Sequence, residues 1–278
     1  MAISIAEMMA TPSKATPPRL AWYGEPGLGK TTLLSQVPGI FAIMTENSLG
    51  ALQFPHLRVK TWEEFKEALA QFEKQDHQAK WLGIDTADGL WQLMADFVVK
   101  GWKNSPRSIG EIAYKAGHEV VHDMFIDLFK RLDEISINRN VGILIVVHQQ
   151  TKDFSPPDSE SYSVYIPALY QSDKTVKTAE ALYNWVDALF YIGRKIGLKE
   201  TEDGRSIALM QGDYQFYCQG KPGFWAKNRY ELPPVMPFPK KGHWSVLIKA
   251  IADHIKKTQE EKNAGKENSE SSDSAHVN

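Results

Sequence analysis

Cysteine is almost absent. Cys218 is the single one in 278 residues, which excludes an internal disulfide and a thiolate-rich zinc site and points to a reducing compartment. As a lone thiol it reads as a small core hydrophobe. Long apolar runs are missing too. No stretch approaches the ~20 residues that a membrane helix needs, and residues 1–18 lack the basic-then-apolar layout of a signal peptide. A cytoplasmic location and no membrane partner are therefore expected. Nor is there a surplus of either charge: 32 Lys and Arg against 34 Asp and Glu leave a net −2. That supplies no global attraction to nucleic acid and leaves only a local basic surface as a means of binding it.

What is present is enough apolar side chain for a sizeable core, 42% of the chain, which suits one main domain with appendages. Short apolar runs of strand length at residues 19–23, 39–44, 80–85, 141–147 and 187–192 alternate with helix-period segments at 30–36, 62–72, 90–100 and 120–135. Such alternation predicts an α/β fold, a doubly wound and mostly parallel sheet. Residues 196–211 read as a hairpin about the Glu202-Asp203-Gly204 turn, giving a C-terminal β-hairpin extension, and 244–256 as a closing helix. Residues 101–117 and 151–177 read as a connection and a long surface loop. The expected organisation is an N-terminal arm at 1–18, a core at 19–257 and a disordered polar tail at 258–278, where apolar residues almost vanish.

The strongest motif is Gly24-Glu25-Pro26-Gly27-Leu28-Gly29-Lys30-Thr31-Thr32, which fits G-x-x-x-x-G-K-[ST]. Its glycines let backbone N–H groups wrap a phosphate chain, Lys30 reaches the β- and γ-phosphates, and the Thr31 hydroxyl meets a magnesium ion. A chance match in a chain this long arises about once in a hundred chains; flanked by a strand and a helix, the motif predicts ATP and Mg2+ as cofactors.

Asp85 ends an apolar strand and suits the magnesium from a neighbouring strand, or else caps the next helix, a role that Asp88 fits better. Glu46 follows the second strand and emerges on the edge where ligands bind; it fits either orientation of the attacking water or a solvated turn. His148 and Gln149 end the 141–147 strand on that same edge, as sensors of the γ-phosphate or as structural polar groups. Lys227-Asn228-Arg229 fits a surface feature, a phosphate ligand, or a finger reaching into a neighbouring subunit's site. Two loop segments mix cations with aromatics: Lys100, Lys103, Arg107 and Lys115 with Trp102 and Tyr114, and Lys152, Lys174 and Lys177 with Tyr162, Tyr165 and Tyr170. That mixture serves single-stranded nucleic acid, although loop aromatics also pack back onto their own domain.

In order along the chain, the phosphate loop, the 41–46 segment ending in Glu46, the strand ending at Asp85, Val146-Val147-His148-Gln149 and Lys227-Asn228-Arg229 resemble the RecA-type ATPase core over roughly residues 19–234. The resemblance is to the short phage-encoded ATP-binding proteins that consist of little more than that core and act in recombination or single-strand annealing. It implies a RecA-like P-loop NTPase that hydrolyses ATP, with Glu46 activating water. It also implies that His148 or Gln149 couples the γ-phosphate to a DNA-binding loop at 151–177, and that Lys227 and Arg229 complete a neighbour's site in a ring or filament. The partners so implied are single-stranded DNA, further copies of the chain and a single-strand-binding protein. Two other functions fit the residues: a nucleotide-gated loader or regulator of a replication protein such as a helicase, and a small-molecule kinase. The kinase lacks an evident arginine-rich lid.

Overall fold

The computed structural model describes residues 16–257 except 48, 156–159, 173, 201–205, 240, 241, 243 and 255. The tail from 258, most of the N-terminal arm and the Glu202-Asp203-Gly204 turn lie outside the described residues. Among the described residues ten strands form one sheet with helices on both faces. The strands are β1 (Arg19–Gly24), β2 (Ile40–Met44), β3 (His56–Arg58), β4 (Trp81–Asp85), β5 (Gly142–Phe154), β6 (Tyr162–Pro167), β7 (Ala188–Glu200), β8 (Ser206–Tyr217), β9 (Lys227–Asn228) and β10 (Val235–Pro237). The order is β10-β8-β7-β1-β5-β4-β2-β3. From β7 to β3 every neighbour pair is parallel, while β8 and β10 continue the sheet antiparallel beyond β7.

The expected α/β class, hairpin included, matches this architecture. One neighbour relation does not: β4, which ends in Asp85, is separated from β1 by β5, so Asp85 reaches the phosphate loop from two strands away. Apolar runs alone do not tell which strand lies between two others.

The helices are α1 (Lys30–Ser35), α2 (Trp62–Lys74), α3 (Ala87–Gly101), α4 (Ala116–Arg139) and α5 (Thr178–Trp185), with α6 over residues 244–254. Side chains alternate along each strand, so β1 sends Ala21 and Tyr23 into one core and Leu20 and Trp22 into the other. The first core lies under α2 to α5; the second lies under α1 and α6. Both faces being covered is why the parallel strands read as unbroken apolar runs. In α2 the spacing of Phe65, Ala68, Leu69 and Phe72 makes the buried face. Thr61 caps it by accepting from Glu64 N, and Glu64 reaches back to Lys60 N. Truncating one large member of that face, Leu69→Ala, removes about 2–5 kcal/mol.

The 151–177 stretch is not a loop throughout. β5 runs on to Phe154 and turns back as β6 in an antiparallel ladder, Gln149 facing Pro167 and Phe154 facing Tyr162. Tyr165 also packs inward, stacked on Tyr191 at 5.8 Å. The hydroxyl of buried Tyr23 lies 2.9 Å from Tyr165 O and 2.7 Å from Trp225 O, and ties β1 to this ladder by donating to a carbonyl. Among the described residues no helix is long and apolar enough to cross a membrane.

Candidate functional site

The phosphate loop leaves β1 at Gly24 and re-enters regular structure at Lys30. Gly27 and Gly29 take φ of 80° and 92°, a left-handed backbone that side chains oppose and glycine permits. Lys30 is buried, and its Nζ donates to Gly24 O at 2.9 Å and Glu25 O at 2.7 Å. Its amine therefore lies folded over the loop that would enclose a phosphate. Burial lowers its pKa, although Asp85, Asp88, Glu46 and Glu25 pull the other way.

Thr31 Oγ1 donates to Asp85 Oδ2 at 2.7 Å. Asp85 is 1% exposed, and its Oδ1 has no hydrogen-bond partner among the described residues. Burial, with Glu46 adding repulsion, pushes its carboxyl up to about 6. A desolvated carboxylate with a free oxygen beside a threonine hydroxyl forms an oxygen-only donor set, which fits a hard divalent cation such as Mg2+ or its water shell. The cation would supply positive charge at the phosphate oxygens; Thr31 and Asp85 are the residues that would hold it.

Threonines that the sequence did not flag build the next layer. The Thr45 hydroxyl accepts from Thr86 N and donates to Thr86 O, while Thr86 Oγ1 donates to Glu46 Oε1 at 3.0 Å and accepts from Gly89 N. A side chain on Gly89 would strike Thr45, so a glycine lets α3 press against the end of β2. Thr86 is the N-cap of α3, which corrects the capping role expected of Asp88. That carboxylate instead accepts from His148 N at 2.9 Å and His148 Nδ1 at 2.8 Å. Helix capping selects for a short oxygen-bearing side chain, and Thr86 and Asp88 both carry one; only the tertiary approach of β5 separates them. The hydrogen bond that His148 donates to Asp88 raises the His148 pKa. Burial pushes Asp88 upward, but the His148 bonds prevail and hold it below the ordinary carboxylate range.

Lys30, Thr31, Glu46, Asp85 and His148 thus line one cavity of about 240 Å3 with Gly27, Gly29, Thr32 and Thr86. A larger cleft of about 480 Å3 at Phe41, Phe72 and His77 has no comparable convergence of charged groups, and convergence rather than size marks a polar ligand site. Gln149 is not part of the cavity. Strand alternation puts it on the face of Ile145 and Val147, opposite His148, with its Oε1 buried and unpartnered among the described residues.

Lys227 and Arg229 are also remote. β9 pairs with the start of β7, Asn228 facing Ala188, whereas Gly24 faces Ile192 near the other edge. Lys227 Nζ donates to Tyr183 O and Asn184 O, and Arg229 Nη1 donates to Asp187 Oδ1 at 3.1 Å. They do not enter the phosphate site of their own chain.

Each of the two loop patches divides into exposed and packed members. Tyr114 is 98% exposed beside Lys115, and Phe154 is half exposed. Trp102 packs against the first core, and Tyr170 packs tilted against His118 at 4.1 Å. Lys152 donates to Gln171 O and Lys177 pairs with Glu180.

A phosphate loop between a parallel strand and a helix, with a buried aspartate two strands away, defines a P-loop NTPase fold. The model of the AAA domain family matches residues 16–230; the chain belongs to that family, and membership implies nucleotide binding. A crystal structure of the RadB recombinase aligns over 73% of this chain and 88% of that chain, at 12% identity and a TM-score of 0.39. No curated protein matches.

Proposed function

We propose that the chain is an ATP-dependent single-stranded-DNA-binding protein that hydrolyses ATP and assembles into homo-oligomers. It would act in recombination or single-strand annealing of the phage type. Lys30 neutralises the terminal phosphates, Glu46 orients the attacking water, His148 meets the γ-phosphate, and Thr31 with Asp85 holds Mg2+. Gln149, on the far face of β5, is the weaker of the two sensor candidates.

The observation that carries the DNA half of this reading is where the two cation-aromatic segments meet. His118, in the first turn of α4 just after Tyr114 and Lys115, packs tilted against Tyr170 at 4.1 Å and lies 5.9 Å from Trp91. Trp91 is one turn along α3 from Asp88. Both segments therefore meet at Trp91, on the helix whose first turn carries Asp88. An exposed aromatic beside a lysine suits base stacking with phosphate neutralisation. ATP would act as the switch by ordering these segments, and its hydrolysis would release the strand.

The test is fluorescence anisotropy of a labelled single-stranded oligonucleotide with Mg2+ and a non-hydrolysable ATP analogue. Nucleotide-dependent binding that Lys30→Ala abolishes and Tyr114→Ala weakens supports the reading. Nucleotide binding without DNA binding would transfer the function to a protein-directed loader or regulator.

A further inference from the structure

Asp88 lies in the first turn of α3, whose N-cap is Thr86. Its carboxylate spans His148, one oxygen on the backbone N–H and the other on Nδ1. The helix that carries it is fixed to the neighbouring strand end, because Thr86 is bonded to Thr45 and Glu46. His148 stands at the end of the buried run of β5, in register with Gly24 of the phosphate loop. With Nδ1 engaged, Nε2 is the ring nitrogen left for a ligand, and the ring lines the cavity of Lys30 and Thr31. The charged groups that act on the imidazole are Asp88 on α3, Glu46 after β2 with Oε1 3.7 Å from Nδ1, Asp85 on β4 and Lys30 on α1.

We propose that Asp88 is the positioning residue of this site: its carboxylate holds His148 with Nδ1 protonated and presents Nε2 to the terminal phosphate, so the pair distinguishes ATP from ADP. The inference rests on the nucleotide-hydrolysis reading above. A carboxylate on one imidazole nitrogen fixes the tautomer and orients the ring. It also favours the imidazolium, whose Nε2–H makes a short, charge-assisted bond to a phosphate oxygen. Asp88 has a second effect, through Glu46. That glutamate is the other acceptor beside Nδ1, and a ring released from Asp88 would pair with it, occupying the carboxylate that orients water.

Asp88→Asn is the direct test. Both groups that meet residue 88 are donors, and an amide offers one acceptor atom where the carboxylate offers two. Measurements on the full chain are the affinities of fluorescent ATP and ADP analogues, the steady-state rate from pH 5.5 to 8.5, and the melting temperature. Asp88→Asn is expected to keep ADP affinity while the ATP-over-ADP preference and kcat fall by about 10–100-fold. The alkaline limb of kcat moves to lower pH by roughly one unit. His148→Gln removes that limb, the double variant is no worse than His148→Gln alone, and Asp88→Glu recovers part of the loss.

Several outcomes would overturn the assignment: Asp88→Asn with wild-type preference and an unmoved limb, a double variant whose losses multiply, or a transition-metal ion retained by the wild type and lost with Asp88. Should Asp88→Asn fail to fold, Asp88→Glu and His148→Gln decide by the same limb. A wild type that binds no nucleotide overturns the underlying reading; a wild type that binds ATP, with variants that change nothing, overturns the role of Asp88 alone.

Discussion

Charged groups gather at both ends of the parallel strands, and the two gatherings are built in opposite ways. At the end where β7 begins, Asp187 accepts from Arg19 N, Nε and Nη2 and from Arg229 Nη1, while Arg19 Nη1 also reaches Asp133. Burial pushes the Asp187 carboxyl up, yet these bonds hold it below the ordinary range. At the phosphate-loop end Asp85 has, among the described residues, one hydroxyl partner and one unpaired oxygen, and its carboxyl is pushed up to about 6. A satisfied cluster is what structure requires. A buried charge left short of partners is tolerated where a ligand completes it.

Ligand chemistry gives the largest expected effect. Lys30→Ala should lower ATP affinity or hydrolysis by about 100-fold or more without lowering the melting temperature, since the amine is buried and its pKa depressed. Hydrolysis assays beside thermal unfolding check it; equal loss of both would erase the contrast between the two ends. Arg19→Ala should behave in reverse, destabilising the fold by about 2–4 kcal/mol, discounted from a fully buried pair for partial exposure. Nucleotide affinity per folded molecule should persist.

Asp85→Asn sharpens the comparison through pH. A carboxyl raised from ~3.9 to about 6 gives stability that is full below ~3.9 and lost as pH rises through 6. The neutral amide should therefore stabilise the ligand-free protein at pH 7 by about 2–3 kcal/mol and abolish its Mg2+ dependence. Asp187 titrates with the opposite sign: its contribution is present above ~3.9 and lost as pH falls through its lower folded value. Denaturant melts from pH 3 to 8 on the wild type, Asp85→Asn and Asp187→Asn would separate the two.

The smallest stability effect belongs to Arg229→Ala, at under about 1 kcal/mol for an exposed ion pair. If Arg229 acts as a finger between subunits, hydrolysis should still fall, and mixing in Lys30→Ala subunits, which retain the arginine, should restore part of it. No change in concentrated protein would leave Arg229 to Asp187 alone.

The phosphate loop was legible because its chemistry depends on contiguous residues: Gly27 and Gly29 must take left-handed backbone, and Lys30 and Thr31 must follow. Strand runs such as 141–147 were legible because a strand buried on both faces cannot carry polar residues. The 151–177 segment misled because proline and tyrosine suggest a loop, while an antiparallel ladder lets its alternate residues face the core. By itself, then, the sequence determined the α/β class, the nucleotide loop and the acidic strand end, all consequences of local steric and burial rules. Only the tertiary structure decided that β5 separates Asp85 from the loop strand, that Thr86 rather than Asp88 caps α3, that Asp88 grips His148 while Gln149 faces away, and that Lys227 and Arg229 sit at the opposite edge. Each of these depends on which residues distant in sequence are brought within hydrogen-bonding reach, about 3 Å, and no spacing along one chain encodes that.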